Sequence, residues 1–288
     1  MDCDNPYISE WGAFPCGGCL PCRIVKRRVW THRILLEAME HENNCFLTLT
    51  YSDDRMPEGN SLDPRHTQGF LKRLRASVPY RFRYFLCGEY GELHGRPDYH
   101  AAMFGFPGCE HGVTRLRKSG YCCSQCELVK RRWSFGNVFL APLEPKSAAY
   151  IAGYVTKKFT PAKRLGGRHP EFARMSRRPG IGTGMMFDVA DTLMKHGLDE
   201  TIVDVPVTLK HGGKEYPLGV FLRKKLREYI GRDSRAPQEV LEALKAEMQP
   251  LRESAWNDKT STLEKVLEES LGRRLRVEGR YRATRKGR

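Results

Sequence analysis

The stretch "YIAGYVTKK" (150–158) sets Tyr150 and Tyr154 four residues apart, with Lys157 three further on. At about 100° per residue, these three side chains fall within roughly 60° of one another on a helix. Ala148, Ile151, Ala152 and Val155 take the opposite side. One face is therefore apolar and suited to packing on a sheet, while the other offers two phenols and an amine. A phenolate is a good nucleophile toward phosphorus, and a neighbouring cation stabilises both it and the charge developing on the attacked phosphate. A divalent metal that polarises the phosphate would supply the other half of such chemistry.

"GRPDYHAAMFG" (95–105) contains residues fit to hold that metal. Asp98 and His100 are two apart, so in an extended chain they share one face while Tyr99 points the other way. Glu89 lies in "YRFRYFLCGEYG" (80–91), an alternating basic and aromatic strand. Pairing of the two strands through a loop containing Gly91, Gly95 and Pro97 brings Glu89 beside the pair. Two carboxylates and one imidazole suit Mg²⁺ or Mn²⁺ better than structural zinc.

Seven of the ten cysteines fall in two clusters, which in a chain that is neither small nor visibly secreted points to metal rather than disulfides. Cys16, Cys19 and Cys22 in "CGGCLPC" need a fourth ligand, for which Cys3, His32 or a residue from elsewhere stands open. In the second cluster Cys109, His111, Cys123 and Cys126 form a candidate zinc set, with Cys122 able to replace Cys123. Such a site would staple residues 106–136, which read as an insertion with few core residues.

These groups need elements to position them. "CFLTLTYSD" (45–53) and "FGNVFLAPLE" (135–144) read as further strands, and "RIVKRRVWTHRILLEAMEHE" (23–42) as an amphipathic helix with a basic outer face. Asp63-Pro64 supplies a cap and a first-turn proline for a helix, and Ser147 is the expected cap of the tyrosine helix. "MSRRPGIGTGMMF" reads as a Gly-rich basic loop, and from about residue 236 the chain turns to long charged helical segments. The final 17 residues, with eight bases against one acid, are expected to be an arm that is disordered or ordered by a partner.

The 288 residues carry 49 Lys and Arg against 34 Asp and Glu, a net +15 that favours a polyanionic partner. Arg27, Arg28 and Lys158 are candidate DNA contacts. No apolar run approaches the ~20 residues of a membrane span, and the N-terminus lacks a signal-peptide layout, so a cytosolic protein facing nucleic acid is expected.

The order of these motifs resembles that of HUH-type endonucleases that initiate rolling-circle replication: "FLTLTY", then a metal-binding strand, then a helix with Tyr-x-x-x-Tyr and lysine. It is most similar to the replication initiators of small single-stranded DNA phages of the microvirus family, particularly the gokushovirus branch. The shared features are the N-terminal C-x-x-C and basic helix, "GEYG", "RP-x-YH" followed by "FG", "YIAGYVTKK" and "SRRPGIG", covering about residues 16 to 185. The resemblance implies a two-tyrosine initiator that nicks one strand of duplex replicative-form phage DNA at the origin. It would join the 5′-phosphate to tyrosine, then swap tyrosines to release unit circles. Glu89, Asp98 and His100 would bind the catalytic metal, and Tyr150, Tyr154 and Lys157 would act on the phosphate. The family pattern has histidine at the position of Asp98, which as a hard oxygen ligand is compatible with the same metals.

The expectation is thus an α+β fold, with a central antiparallel sheet of HUH-endonuclease type, flanking helices, a cysteine-rich insertion and a helical basic C-terminal region. Residues 1–235 would form the nicking domain and 236–288 a charged helical region. Expected partners are single-stranded and duplex origin DNA and the host's replication helicase and polymerase, in the host bacterial cytoplasm. A zinc-stabilised DNA-binding protein without catalysis would explain the charge and the cysteines but not the two-faced tyrosine helix. A plasmid relaxase or transposase would share the chemistry.

Overall fold

Alternation decides the sheet. In Asn44–Thr50 (β3), Cys45, Leu47 and Leu49 are buried in the main core, while Phe46, Thr48 and Thr50 take the opposite face. The computed structural model describes residues 2–91, 94–115, 122–154 and 165–286. Its contacts divide the chain into two compact units, one of residues 30–185 and one of residues 1–29 with 186–288.

The first unit holds a five-stranded antiparallel sheet formed by β3 with Arg83–Tyr90 (β4), Pro97–Phe104 (β5), Val138–Pro142 (β6) and Phe172–Met175 (β7). The order is β6-β3-β5-β4-β7, which puts β5 at the centre. The mixed α+β character with a central antiparallel sheet matches the sequence reading, although β7 lies in a stretch that the sequence left unassigned. Pro64–Arg75 (α2) and Ser124–Trp133 (α3) cover one sheet face with Phe70, Leu71, Leu74, Val129 and Trp133. Asp63 caps α2 by accepting from the Arg65 N–H at 2.8 Å, and Pro64 occupies the first turn.

The expectation that residues 106–136 contribute little to the core is overturned. Phe106 and Trp133 are fully buried, and the Trp133 indole donates to the Thr50 carbonyl at 2.8 Å. The reason is amphipathic spacing: Cys126, Val129 and Trp133 recur at three and four residues and form one face of α3.

Leu20–Met39 (α1) starts three residues earlier than its sequence reading, and its second half buries Ile34, Leu35 and Leu36. It also explains "SRRPGIG". Glu37, 1% exposed, accepts from the Gly182 N–H at 2.7 Å and from Arg83, while Arg33 Nε donates to the Ile181 carbonyl at 3.0 Å. Gly182 has φ +74, and a Cβ there would lie 2.8 Å from the Arg33 carbonyl oxygen. Gly182→Ala is therefore expected to destabilise this unit by about 1–3 kcal/mol, measured by chemical denaturation followed at Trp133. An unchanged midpoint would show that the loop shifts freely.

The second unit contains the short pair Tyr7–Ile8 (β1) and Ala13–Phe14 (β2), and the hairpin Thr208–His211 (β8) and Lys214–Pro217 (β9). Its helices are Met185–Lys195 (α5), Leu198–Thr201 (α6), Gly219–Tyr229 (α7), Gln238–Asn257 (α8) and Thr262–Lys286 (α9). Here the structure corrects the expected arm, because the basic tail is helical through Lys286 and α9 packs on α8. Leu, Arg, Glu and Lys are good helix formers, and Glu278 pairs with Arg282 one turn on at 3.1 Å. Among the described residues, no helix is long and apolar enough to cross a membrane.

Candidate active site

On the sheet face away from the main core, the ladder aligns three strands. Asp98 stands opposite both Glu89 and Thr50, and His100 opposite both Cys87 and Thr48. His100 Nε2 lies 3.0 Å from Glu89 Oε1, and its Nδ1 lies 3.0 Å from Thr48 Oγ1. A hydroxyl can donate to or accept from Nδ1, so Thr48 holds the ring in place for either tautomer. Both Glu89 and His100 are buried, at 4% and 7% exposure.

Pro145–Tyr154 (α4) lies over β4 and β5. Its N-terminus differs from the expected Ser147 cap. Pro145 opens the helix, and Ser147 Oγ reaches back to accept from the Glu144 N–H at 2.8 Å, as the third residue of a capping box does. Ala148, Ile151 and Ala152 are fully buried, as an apolar face requires.

The tyrosines do not point away from the sheet. Tyr154 stacks on the His100 ring at 5.6 Å and 12°, and Phe46 stacks on it at 5.8 Å and 10°. Tyr150 meets the His100 ring edge-on at 5.1 Å and touches Tyr154 at 4.9 Å. Its hydroxyl donates to Glu89 Oε1 at 3.4 Å, and its side of the helix remains open, with the residue 43% exposed. Two phenols, a carboxylate and an imidazole thus share one site.

Burial sets the electrostatics. The Tyr150 phenol is pushed up to about 12, chiefly by burial and further by the nearby Glu89 charge, against an opposing hydrogen bond with Tyr154. Tyr154 is pushed further up, by burial and then by its hydrogen bonds to Glu89 and Tyr150. The Asp98 carboxyl is also raised, first by burial; His100 opposes this and Glu89 adds to it. At neutral pH both phenols are protonated, so a nucleophilic role needs a local positive charge.

Glu89, Asp98 and His100 fit a hard divalent cation in donor type. Nε2 of His100 faces a carboxylate oxygen, and the second ring nitrogen has an orienting partner, as metal-bound histidines usually do. Asp98 stands next to this pair along the ladder. However, the three ligand atoms do not converge as tightly as the thiols of the cysteine clusters.

Those clusters assemble as two quartets of thiols, Cys3 with Cys16, Cys19 and Cys22, and Cys109 with Cys122, Cys123 and Cys126. Cys3 takes the fourth place in the first, and buried His32 lies outside it. In the second, Cys122 stands where His111 was expected, so all four donors are sulfur. Arg27 is exposed on α1, while Arg28 Nη2 donates to the Glu215 carbonyl on β9 at 2.8 Å. Lys157 and Lys158 lie outside the described residues. Sequence reasoning missed Thr48 and Phe46, although alternation in "CFLTLT" places both on one strand face.

Residues 44–159 match the family model for replication-associated protein ORF2. This chain is similar to phage replication-associated proteins. It is 31% identical over 160 residues to replication-associated protein VP4 of Bdellovibrio phage phiMH2K, covering 51% of this chain and 49% of that protein. It is 32% identical over 153 residues to replication-associated protein ORF4 of Chlamydia phage 1, covering 50% of this chain and 38% of that protein. Both relatives come from microviruses. The chain thus spans half or less of the curated relatives it matches. No solved structure matches.

Proposed function

We propose that this chain is a DNA nicking and joining endonuclease of HUH type that starts and ends rolling-circle replication of a small single-stranded DNA phage. The observation that carries this reading is the contact of Tyr150 and Tyr154 with each other and with the Glu89–His100 pair on the central strands. Similarity to phage replication-associated proteins over residues 44–159 supports the biological setting.

A Mg²⁺ or Mn²⁺ held by Glu89, Asp98 and His100 would polarise the scissile phosphate and offset the carboxylate charges beside the phenols. The protein's own residues do the rest. Attack by a tyrosine Oη forms the phosphotyrosine bond and breaks the bond from phosphorus to the 3′-oxygen, and the phenolic proton must reach that leaving oxygen. Lys157 would stabilise the phenolate and pass on the proton. Phe46 and Tyr154 hold the His100 ring between them, and Thr48 fixes its rotation. The +15 charge, with Arg27, Arg28 and Lys158 as candidate contacts, would bind single-stranded and duplex origin DNA. The host cytoplasm would supply the helicase and polymerase.

The test is incubation with 3′-labelled single-stranded origin DNA and Mn²⁺. A covalent protein–DNA adduct that forms with metal and is prevented by EDTA is expected. DNA binding without an adduct under any metal condition would leave a zinc-stabilised binding protein instead. Thr48→Val should lower metal-dependent nicking by about 10–100-fold while leaving DNA affinity unchanged, because only the orientation of His100 is disturbed. Equal metal titration curves for the two proteins would remove Thr48 from the site.

A further inference from the structure

Ten free cysteines are distributed unevenly between the core and two tight groups. Cys45 and Cys87 are single buried thiols on sheet strands. The other eight form the two quartets, in each of which the ligand atoms lie within 4.8 Å of one another. Hydrophobic packing alone does not account for this. In the first quartet Cys3 and Cys22 are buried, but Cys16 is exposed and still turns its sulfur toward the others.

The spacing is informative. Four thiolates around zinc at about 2.3 Å in a tetrahedron stand about 3.8 Å from one another. Cys3 and Cys19 Sγ are 3.8 Å apart, and Cys109 Sγ is 3.6 Å from Cys122 and 3.9 Å from Cys123. These separations are far too long for a disulfide.

The backbone is arranged around the sulfurs. Gly17, at φ +75, makes a turn between Cys16 and Cys19 that aims the Gly18 and Cys19 N–H groups at Cys16 Sγ, each at 3.4 Å. The Cys16 N–H points at Cys3 Sγ at 3.3 Å, and the Asp4 N–H at Cys19 Sγ at 3.4 Å. In the second quartet, the Arg115 N–H points at Cys122 Sγ at 3.1 Å and the Cys126 N–H at Cys123 Sγ at 3.5 Å. Such donors compensate the negative charge that a metal-bound thiolate keeps. Each quartet also joins a short irregular segment to a helix start: residues 3–19 to the first turn of α1, and the Cys109–Gly112 turn to the N-terminus of α3. A structural metal is one way to hold such segments.

We propose that each chain binds two structural Zn²⁺ ions, one in the Cys3, Cys16, Cys19, Cys22 quartet and one in the Cys109, Cys122, Cys123, Cys126 quartet. Both sites are closed, all-sulfur and distinct from the oxygen-rich nicking site, and the assignment stands whether or not the protein cuts DNA.

Elemental analysis of the full chain, purified without chelator, should give two zinc ions per chain, with eight thiols shielded until the metal is removed. The variants Cys16→Ser/Cys19→Ser and Cys123→Ser/Cys126→Ser should each hold one zinc, and the four-site combination none. Because a variant can fail to fold, the wild-type protein is also exchanged into Co²⁺. Two equivalents should then give the intense thiolate-to-cobalt charge-transfer absorption of sulfur-rich tetrahedral sites. Zinc well below one per chain with all ten thiols freely reactive would overturn both sites. Iron in place of zinc would overturn the metal assignment. Unchanged zinc content in either double variant would overturn the quartet it alters.

Discussion

Replacing both Tyr150 and Tyr154 with phenylalanine is expected to eliminate the covalent protein–DNA adduct, lowering cleavage by at least ~10³-fold, about 4 kcal/mol of transition-state stabilisation. Phenylalanine keeps the ring contacts with His100 and Phe46, so this loss measures the hydroxyls rather than packing. Each single variant should keep some capacity for one cut. Phe at 154 should leave the more exposed Tyr150 in place, while Phe at 150 leaves the phenol stacked on His100. Neither single variant should release closed circles over repeated cycles. A regenerated origin must be cut while the first tyrosine is still joined to DNA, which takes a second nucleophile. The measurement is denaturing electrophoresis with 3′-labelled DNA, followed by peptide mapping of the adduct. Attachment at another residue, or an adduct persisting in the double variant, would sink the two-tyrosine mechanism.

Asp204→Ala should destabilise the unit formed by residues 1–29 and 186–288 by about 3 kcal/mol. Asp204 accepts from Arg227 Nε and Nη2, both at 2.6 Å, and pairs with Arg223 as well. Arg227 and Asp204 side chains are only 7% and 9% exposed, so removal of the carboxylate strands a buried guanidinium. The figure stays at the low end because the Arg223 side chain is 23% exposed and can recover water. Burial would raise the Asp204 carboxyl, but Arg227 and Arg223, with the Val205 N–H, outweigh it and hold the group below the usual carboxylate range. A carboxylate depressed in the folded state stabilises fully above its unfolded value of about 4. That stabilisation is lost as the pH falls through the lower folded value. The gap between wild type and variant, read from urea unfolding at Trp11 and Trp256, should therefore be widest near neutral pH and close in strong acid. A gap independent of pH would show that packing, not charge, is at stake.

Much of the sheet and of its chemistry was legible because local rules are strong where they operate. Period-two alternation marked β3, β4 and β5, and put Asp98 and His100 on one face. Helical spacing put Tyr150 and Tyr154 on one stripe, and Asp63-Pro64 announced α2. What these rules cannot give is register and docking. Antiparallel pairing set Thr48 and Cys87 opposite His100, because the position of each strand along its neighbour is fixed by turns and core packing far along the chain. The same holds for the tyrosine helix. Its amphipathicity suggested the apolar side for the sheet, yet the tertiary fold buries that side and also turns both phenols onto His100 and Glu89. The cysteine spacing showed that sulfur was clustered. The choice of Cys3 over His32, and of Cys122 over His111, came from which segments the fold brings within a few ångströms. Residue type and spacing thus determined the kind of chemistry this chain can do. Long-range packing chose the partners, because contacts between distant segments depend on the whole core.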